Sequence, residues 1–294
     1  QSSSWAGTAA AGIEDFLVEE GGRLGEVYGY KTDGFYTADD FTFDAEKGTY
    51  ALKAGVNDCS SLIGGKVYPG SIKLKANEDG EYKKERLGNT VPTVSGGFGL
   101  NARWKGFDFT AFFNYSLGNK IVNATKLGSS FYSGSSKNWN INDHFTSANR
   151  YSWIDPSTGT NLLSSASIKA NGEAWTINRL NEVNTGSSIW NPAAATVMPL
   201  VDWAVEDGSF LRVNNITIGY TLPKLFVSKL NIQNIRIYVT GYNLHCFTKY
   251  SGTDPEVDCC TSTPMTPGID YAAYPKSRSF VGLSLIHISE PTRP

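Results

Sequence analysis

Adjacent acidic residues are the first place to look for chemistry, and Glu19-Glu20, Asp39-Asp40 and Glu206-Asp207 supply three pairs. A catalytic acid and base must converge on one bond. Neighbours on a strand point to opposite faces, so none of these pairs makes such a site, and they read as solvated loop charges. Gly134-Ser135 lacks the strand–turn–helix setting of a nucleophile elbow. Gly96-Gly97 lies inside an alternating strand rather than ahead of a helix, so it cradles no phosphate, and glycine there suits close packing at a sheet wall. His144, His245 and His287 are scattered, and Cys59, Cys246, Cys259 and Cys260 form no Cys-x-x-Cys, so no zinc site is expected. Cys246 could pair with Cys259 or Cys260 in an oxidising compartment, with free loop thiols as the alternative. No catalytic, cofactor or metal site is therefore expected.

Binding is the chemistry that remains. Residues 119–200 carry Phe131, Tyr132, Trp139, Trp153, Trp175 and Trp190 among many Asn and Ser. Aromatic faces stack on sugar rings while Asn, Asp and Arg bond the hydroxyls. These six are thus candidates for contact with a substrate or partner. The alternative is that the rings pack the segment against itself, as in an Ω-loop.

The elements that would position them are strands. Charged residues make up 18% of the 294, aromatics 13%, and there are 30 glycines, a mix that suits strands joined by polar turns. A net charge of −2 gives no support for nucleic-acid binding. No run reaches the roughly 18 apolar residues of a membrane helix, but short alternating barrel strands are nearly invisible to hydropathy. One hairpin is plain. Phe98, Leu100, Ala102 and Trp104 alternate with Gly97, Gly99, Asn101 and Arg103, and Lys105-Gly106 makes a two-residue turn. Phe107, Phe109, Ala111, Phe113 and Tyr115 then alternate with Asp108, Thr110, Asn114 and Ser116, with Phe112 as the exception. Each arm has about ten residues, enough to cross hydrocarbon when tilted. Further strands are expected over Asn215–Leu222, Asn234–Leu244 and from Ser279 to Leu283. Glu26–Lys31 and Val67–Lys75 are also strand-like, and Gly34-Phe35-Tyr36 reads as a turn into a third strand.

The connections sort by length: a tight turn, a long segment (119–200), the short Pro223–Gln233, and a second long segment (245–278) before the last strand. Up-and-down membrane barrels alternate short periplasmic turns with long extracellular loops, whereas a sandwich has no reason to do so.

Several stretches resemble the SusC/RagA family of TonB-dependent outer-membrane transporters. The best is VEDGSFLRVNNITIGYTLP at Val205–Pro223, whose signature positions are Gly208, Ser209, Phe210, Leu211, Arg212, Asn215, Gly219 and Tyr220. IRIYVTGYNLHCFTKY follows, with Asn243, Leu244 and Tyr250. Next come SGTDPEV, with Asp254 and Pro255, and YPKSRSFVGL, with Pro275 and Arg278. LGEVYGYKTDGFY and Gly96–Asn123 match upstream, and the six pieces occur in family order across most of Leu24–Leu283. There are departures. ANEDG at Ala76–Gly80 lacks the family's longer acidic run, so a metal loop there is not expected. The closing aromatic is absent, as are the N-terminal plug and TonB box.

The resemblance implies an all-β, antiparallel up-and-down transmembrane barrel, with this sequence as the C-terminal part of a 22-stranded wall. Implied too are residence in the outer membrane of a Gram-negative, Bacteroidota-like cell, import of glycans or peptides, a SusD-like surface lipoprotein capping the mouth, and energy from TonB. Residues 1–283 are assigned to the barrel portion. From Leu283 or Ser284 onward, the run SLIHISEPTRP resembles sequencing-adapter read-through, so residues 284–294 are read as non-native. A secreted β-sandwich carbohydrate-binding module or adhesin is the alternative from another class, and a β-rich glycosidase a third.

Overall fold

The computed structural model describes residues 15–132, 141–227, 232–256, 258 and 266–288. Strands β1 (Val94–Trp104) and β2 (Phe107–Leu117) pair in unbroken register from Val94↔Leu117 to Trp104↔Phe107. Lys105 and Gly106 both have positive φ, 45° and 90°, as the two-residue turn that matches strand twist requires. A Cβ on Gly106 would sit 2.9 Å from the Thr221 carbonyl oxygen, so the second turn position needs glycine twice over.

β3 (Phe210–Thr221), β4 (Ile232–Thr248) and β5 (Ser279–Ile288) complete a five-stranded antiparallel meander in the order β5-β4-β3-β2-β1. All three are longer than their alternation indicates, and a bulge explains two of them. Asn214 stands unpaired between Val213↔Phe113 and Asn215↔Phe112. On β4 the residues opposite it are Asn243, at φ 50°, and Leu244. On β3 the single extra residue inverts which face later side chains take, so a period-two count stops there; on β4 the two residues interrupt the ladder but leave the faces in phase, and both strands continue. Asn tolerates this left-handed backbone, and Asn243 Nδ2 donates to the Ser277 carbonyl at 3.0 Å. β5 runs past Leu283 to Ile288, which pairs with Ile232. Its last five residues were set apart by sequence, but a ladder needs only backbone N–H and C=O groups.

A second unit comprises residues 15–89, 122–206 and 266–272. Here the segment 119–200 departs from a loop reading. It contains the helix α1 (Ser165–Val183), capped by Ser164, whose side chain accepts from Ser167 N. Two helical runs meet at Gly172, with φ 78° and ψ 175°. Ile168 and Leu180 are buried with Phe16, Val27, Tyr36, Phe41, Ile72, Leu127, Tyr151 and Leu162 in one core. Short strand pairs line it: Thr32–Phe35 with Ile72–Leu74, and Phe41–Asp44 with Thr49–Leu52. Thr32–Phe35 is a strand that already includes Gly34, at φ 73°, rather than one that begins after a turn there. Val122↔Ile269 and Asn123↔Asp270 pair in parallel. Cys59 lies inside this core, not in an exposed loop, and burial pushes its thiol up. Cys246 lies half-buried on β4, while Cys259 and Cys260 fall outside the described residues.

Asp155 anchors α1. It accepts from Arg179 Nε at 2.7 Å and Nη2 at 2.8 Å, and from the Ser157 hydroxyl and backbone. The Arg179 hydrogen bonds, then those of Ser157, hold its carboxyl well below the usual carboxylate range. A depressed pKa stabilises the fold above the unfolded value of about 4, and the contribution disappears as pH falls below it. Amide protection factors across residues 155–160 are therefore expected to fall progressively below about pH 4 in wild type. In Asp155→Asn they should be low already at neutral pH.

Candidate functional site

Register across the sheet sorts its two faces. On one, Trp104, Phe107, Tyr220 and Ile237 form a row, followed by Ala102, Phe109, Ile218 and Val239, then Leu100, Ala111, Ile216 and Gly241. Phe98 stacks on Phe113 at 4.9 Å, and Phe107 tilts over Tyr220 at 4.5 Å. On this face Phe98, Leu100, Trp104, Phe107, Ile218 and Ile237 are exposed. Phe109, Phe113, Ile216 and Ile235 are partly so. A β-sandwich would bury this face against a second sheet, and none does so among the described residues.

The opposite face is polar and cross-linked. Thr110 donates to Asn101 Oδ1 at 3.0 Å, and the Thr217 and Thr240 hydroxyls meet at 2.8 Å. Asp108 on β2 reaches across β3 to Arg236 on β4, accepting from Nε at 3.0 Å and Nη2 at 2.5 Å. It passes over Gly219, where a Cβ would lie 2.5 Å from Asp108 Oδ1. Sequence reading placed Asp108 and Arg236 on polar faces of their strands but did not join them, since the pairing depends on register and on the bare backbone between. Gly219→Val is expected to break this pair, at a cost of roughly 1–3 kcal/mol. In an Asp108→Ala background the same change should cost clearly less, as a double-mutant cycle in urea would show. A cavity of about 860 Å³ opens on this face beside the turn, lined by Asn101, Arg103, Asp108, Thr110, Thr221 and Arg236 among others.

At the far end of the same face, signature positions distant in sequence meet. Arg212 and Asp254 are 4% and 3% exposed and form an ion pair through Arg212 Nη2. Arg212 Nε lies 2.5 Å from Glu256 without being aligned to donate to it. Glu256 also accepts from Asn114 Nδ2 at 3.0 Å and Lys276 Nζ at 2.8 Å, and its own N–H donates to Asp254 at 2.9 Å. Pro255 is buried beside them. The connection after β4 is thus tied to the sheet by charge. Glycine makes room at two neighbouring points. A Cβ on Gly252 would enter the Tyr250 ring at 2.4 Å, and one on Gly208 would meet Asn119 Nδ2 at 2.4 Å. Ser209 accepts from Gly118 N and donates to Asp207 Oδ1. Phe210 and Leu211 open β3, Asn215 follows its bulge, and Leu244 covers Gly241. Pro275 is half-buried and Arg278 exposed ahead of β5.

The five candidate aromatics among the described residues are not brought together. Trp190 is buried, donates to the Ser130 carbonyl at 3.2 Å, and packs edge-on against Phe145 and Trp203. Phe131 and Trp153 are half-buried against the core. Tyr132 and Trp175 expose their rings. Trp139 lies outside the described residues. Self-packing therefore accounts for Trp190 and much of Phe131 and Trp153, because a large ring beside a forming core buries more area than one held in water. Among the described residues no group of His, Cys, Asp or Glu is arranged to hold a metal. No helix is long and apolar enough to cross a membrane, which says nothing of crossing by strands.

No family model matches the chain. TonB-dependent receptor P3 of Formosa agariphila is 29% identical over 275 residues, 92% of this chain and 23% of that protein. TonB-dependent receptor SusC of Bacteroides thetaiotaomicron is 37% identical over 87 residues, 29% of this chain and 8% of that one. Among solved structures, the RagAB peptide importer in its open-open state matches with a TM-score of 0.51 at 18% identity, covering 98% of this chain and 25% of the other, a likeness of fold alone. The chain thus spans about a quarter of the length of such proteins.

Proposed function

Since this chain belongs to the SusC/RagA type of TonB-dependent receptors, we propose that it forms part of the wall and extracellular connections of a 22-stranded outer-membrane barrel that imports oligosaccharides. The observation that carries this reading is the two-faced sheet. From the turn to the Leu100–Gly241 row one face of β1–β4 is apolar, and no second sheet covers it among the described residues, as lipid contact requires; the other face of these strands is mainly polar and ion-paired, as a lumen requires. The strand ends fit as well: those joined by the two-residue turn and by the short 222–231 connection, Trp104/Phe107 and Thr221/Ile232, lie at one end of the ladder, and Leu117/Phe210 and Thr248/Ser279 at the other. Such a chain works by binding and passage rather than catalysis. A SusD-like lipoprotein would cap the mouth, and the TonB complex would act through parts of the receptor outside this sequence.

Peptide import is the second reading, because the fold it shares with RagAB serves a peptide importer. Deleting the complete gene and growing the strain on a panel of glycans and peptides separates the two. Loss of growth on one glycan is expected, whereas loss confined to peptides would replace that reading. Recovery of the intact receptor from the soluble periplasm, without detergent, would sink both.

We also propose that residues 284–294 are adapter sequence, and that Ser284–Ile288 join the ladder through backbone alone. Resequencing intact DNA should diverge after Gly282 to Ser284 and close on an aromatic residue. Recovering IHISEPTRP in frame would make the tail native.

A further inference from the structure

In the unit built around α1, three aromatic side chains and a lysine form one cluster. Tyr50, Tyr68 and Trp153 are half-buried and tilt against one another, with Tyr50–Tyr68 at 6.3 Å and Tyr68–Trp153 at 5.6 Å. Trp153 Nε1 is committed to the Pro69 carbonyl at 2.6 Å, which fixes the indole and leaves its exposed part as apolar surface. Exposed Lys66 holds its ammonium 4.7 Å from the Tyr50 ring centre and 5.1 Å from that of Tyr68. Among the described residues no carboxylate pairs with Lys66, and neither phenol hydroxyl has a hydrogen-bond partner.

We propose that Trp153, Tyr68, Tyr50 and Lys66 form a subsite for a pyranose ring bearing an acid group, either a uronate carboxylate or a sulfate. The inference rests on the oligosaccharide reading above and narrows its substrate class. An indole edge fixed by its own hydrogen bond gives a sugar ring an apolar surface to stack on at little entropic cost. Two unpartnered phenol hydroxyls can donate to or accept from ring hydroxyls. Burial raises the Tyr50 phenol above its ordinary value, so it remains a neutral donor at physiological pH. Two ring faces hold the ammonium in place by attraction to their quadrupoles. That attraction orients the charge without neutralising it, so an anion arriving beside Trp153 meets a positioned partner. A neutral sugar would leave the charge unpaired and displace its water for no return.

The test uses the full-length receptor purified in detergent, with a panel of length-matched neutral, uronate-bearing and sulfated oligosaccharides and an acidic peptide. Acid-bearing sugars should bind in preference to neutral ones, and the preference should shrink with added salt. Lys66→Met, a surface change that leaves the core intact, should weaken acid-bearing sugars about fivefold and leave neutral ones unchanged. The uronate and sulfate arms identify which acid is taken. Equal binding of neutral and acidic sugars, a preference that survives Lys66→Met, or no sugar bound at all would overturn the subsite. Neutral sugars binding alone would do so while sparing the importer reading. Binding confined to the acidic peptide would overturn both.

Discussion

Replacing Asp254 with Ala is expected to destabilise the folded receptor by about 3 kcal/mol, the lower end of the cost of breaking a buried ion pair. The reason is what remains. Arg212 is 5% exposed in its side chain and keeps its charge when the carboxylate goes. Glu256 stays beside it, which moderates the loss, but Glu256 is misaligned for Arg212 Nε and already serves Asn114 and Lys276. The loss should appear as a lower temperature for losing compact gel migration and as earlier protease cleavage within residues 249–258. Arg212→Met combined with Asp254→Leu should recover most of it, because no unpaired charge is then buried. If Asp254→Ala behaves like a change at exposed Asp79, the network is ornamental.

Ile218→Arg is expected to cost roughly 2–4 kcal/mol in a bilayer, towards the lower figure since Ile218 lies one row in from the turn. In water the same change would be nearly free, because Ile218 is 55% exposed and surface substitutions stay within about 0.5 kcal/mol. The prediction therefore separates a lipid-facing wall from a solvated sheet. Thr110→Arg, at an exposed position in the neighbouring row on the opposite face, is the control and should fold into vesicles nearly as well as wild type. Equal folding yields for the two variants would remove the lipid contact.

The hairpin was legible because turn chemistry and period-two alternation agree over its whole length. β3 was legible only on one side of the bulge, since Asn214 inverts its phase without any local signal, while β4 keeps its phase but is interrupted opposite it by Asn243 and Leu244. α1 escaped notice because Gly172 interrupts it and its buried positions include Ser167 and Thr176 beside Ile168 and Leu180. Family likeness located Arg212 and Asp254 but gave no reason for their joint presence, which is the ion pair. The aromatic candidates were chosen by type alone. Type cannot tell Trp190, sealed in a core by elements remote in sequence, from Trp175, which keeps its ring in water.

The core around α1 draws on chain segments separated by long stretches of sequence, and Ile269 enters it by pairing with Val122. That closure spans far more polymer than a hairpin does, and its entropic cost falls due before most of the burial that repays it. The unit cannot mature segment by segment as synthesis proceeds. It must wait, largely open and with its apolar residues in need of shielding, until its last contributor has emerged. Its folding should be slow and governed by contact order, and a nascent chain stalled before Ile269 should be held by chaperones rather than become protease-resistant.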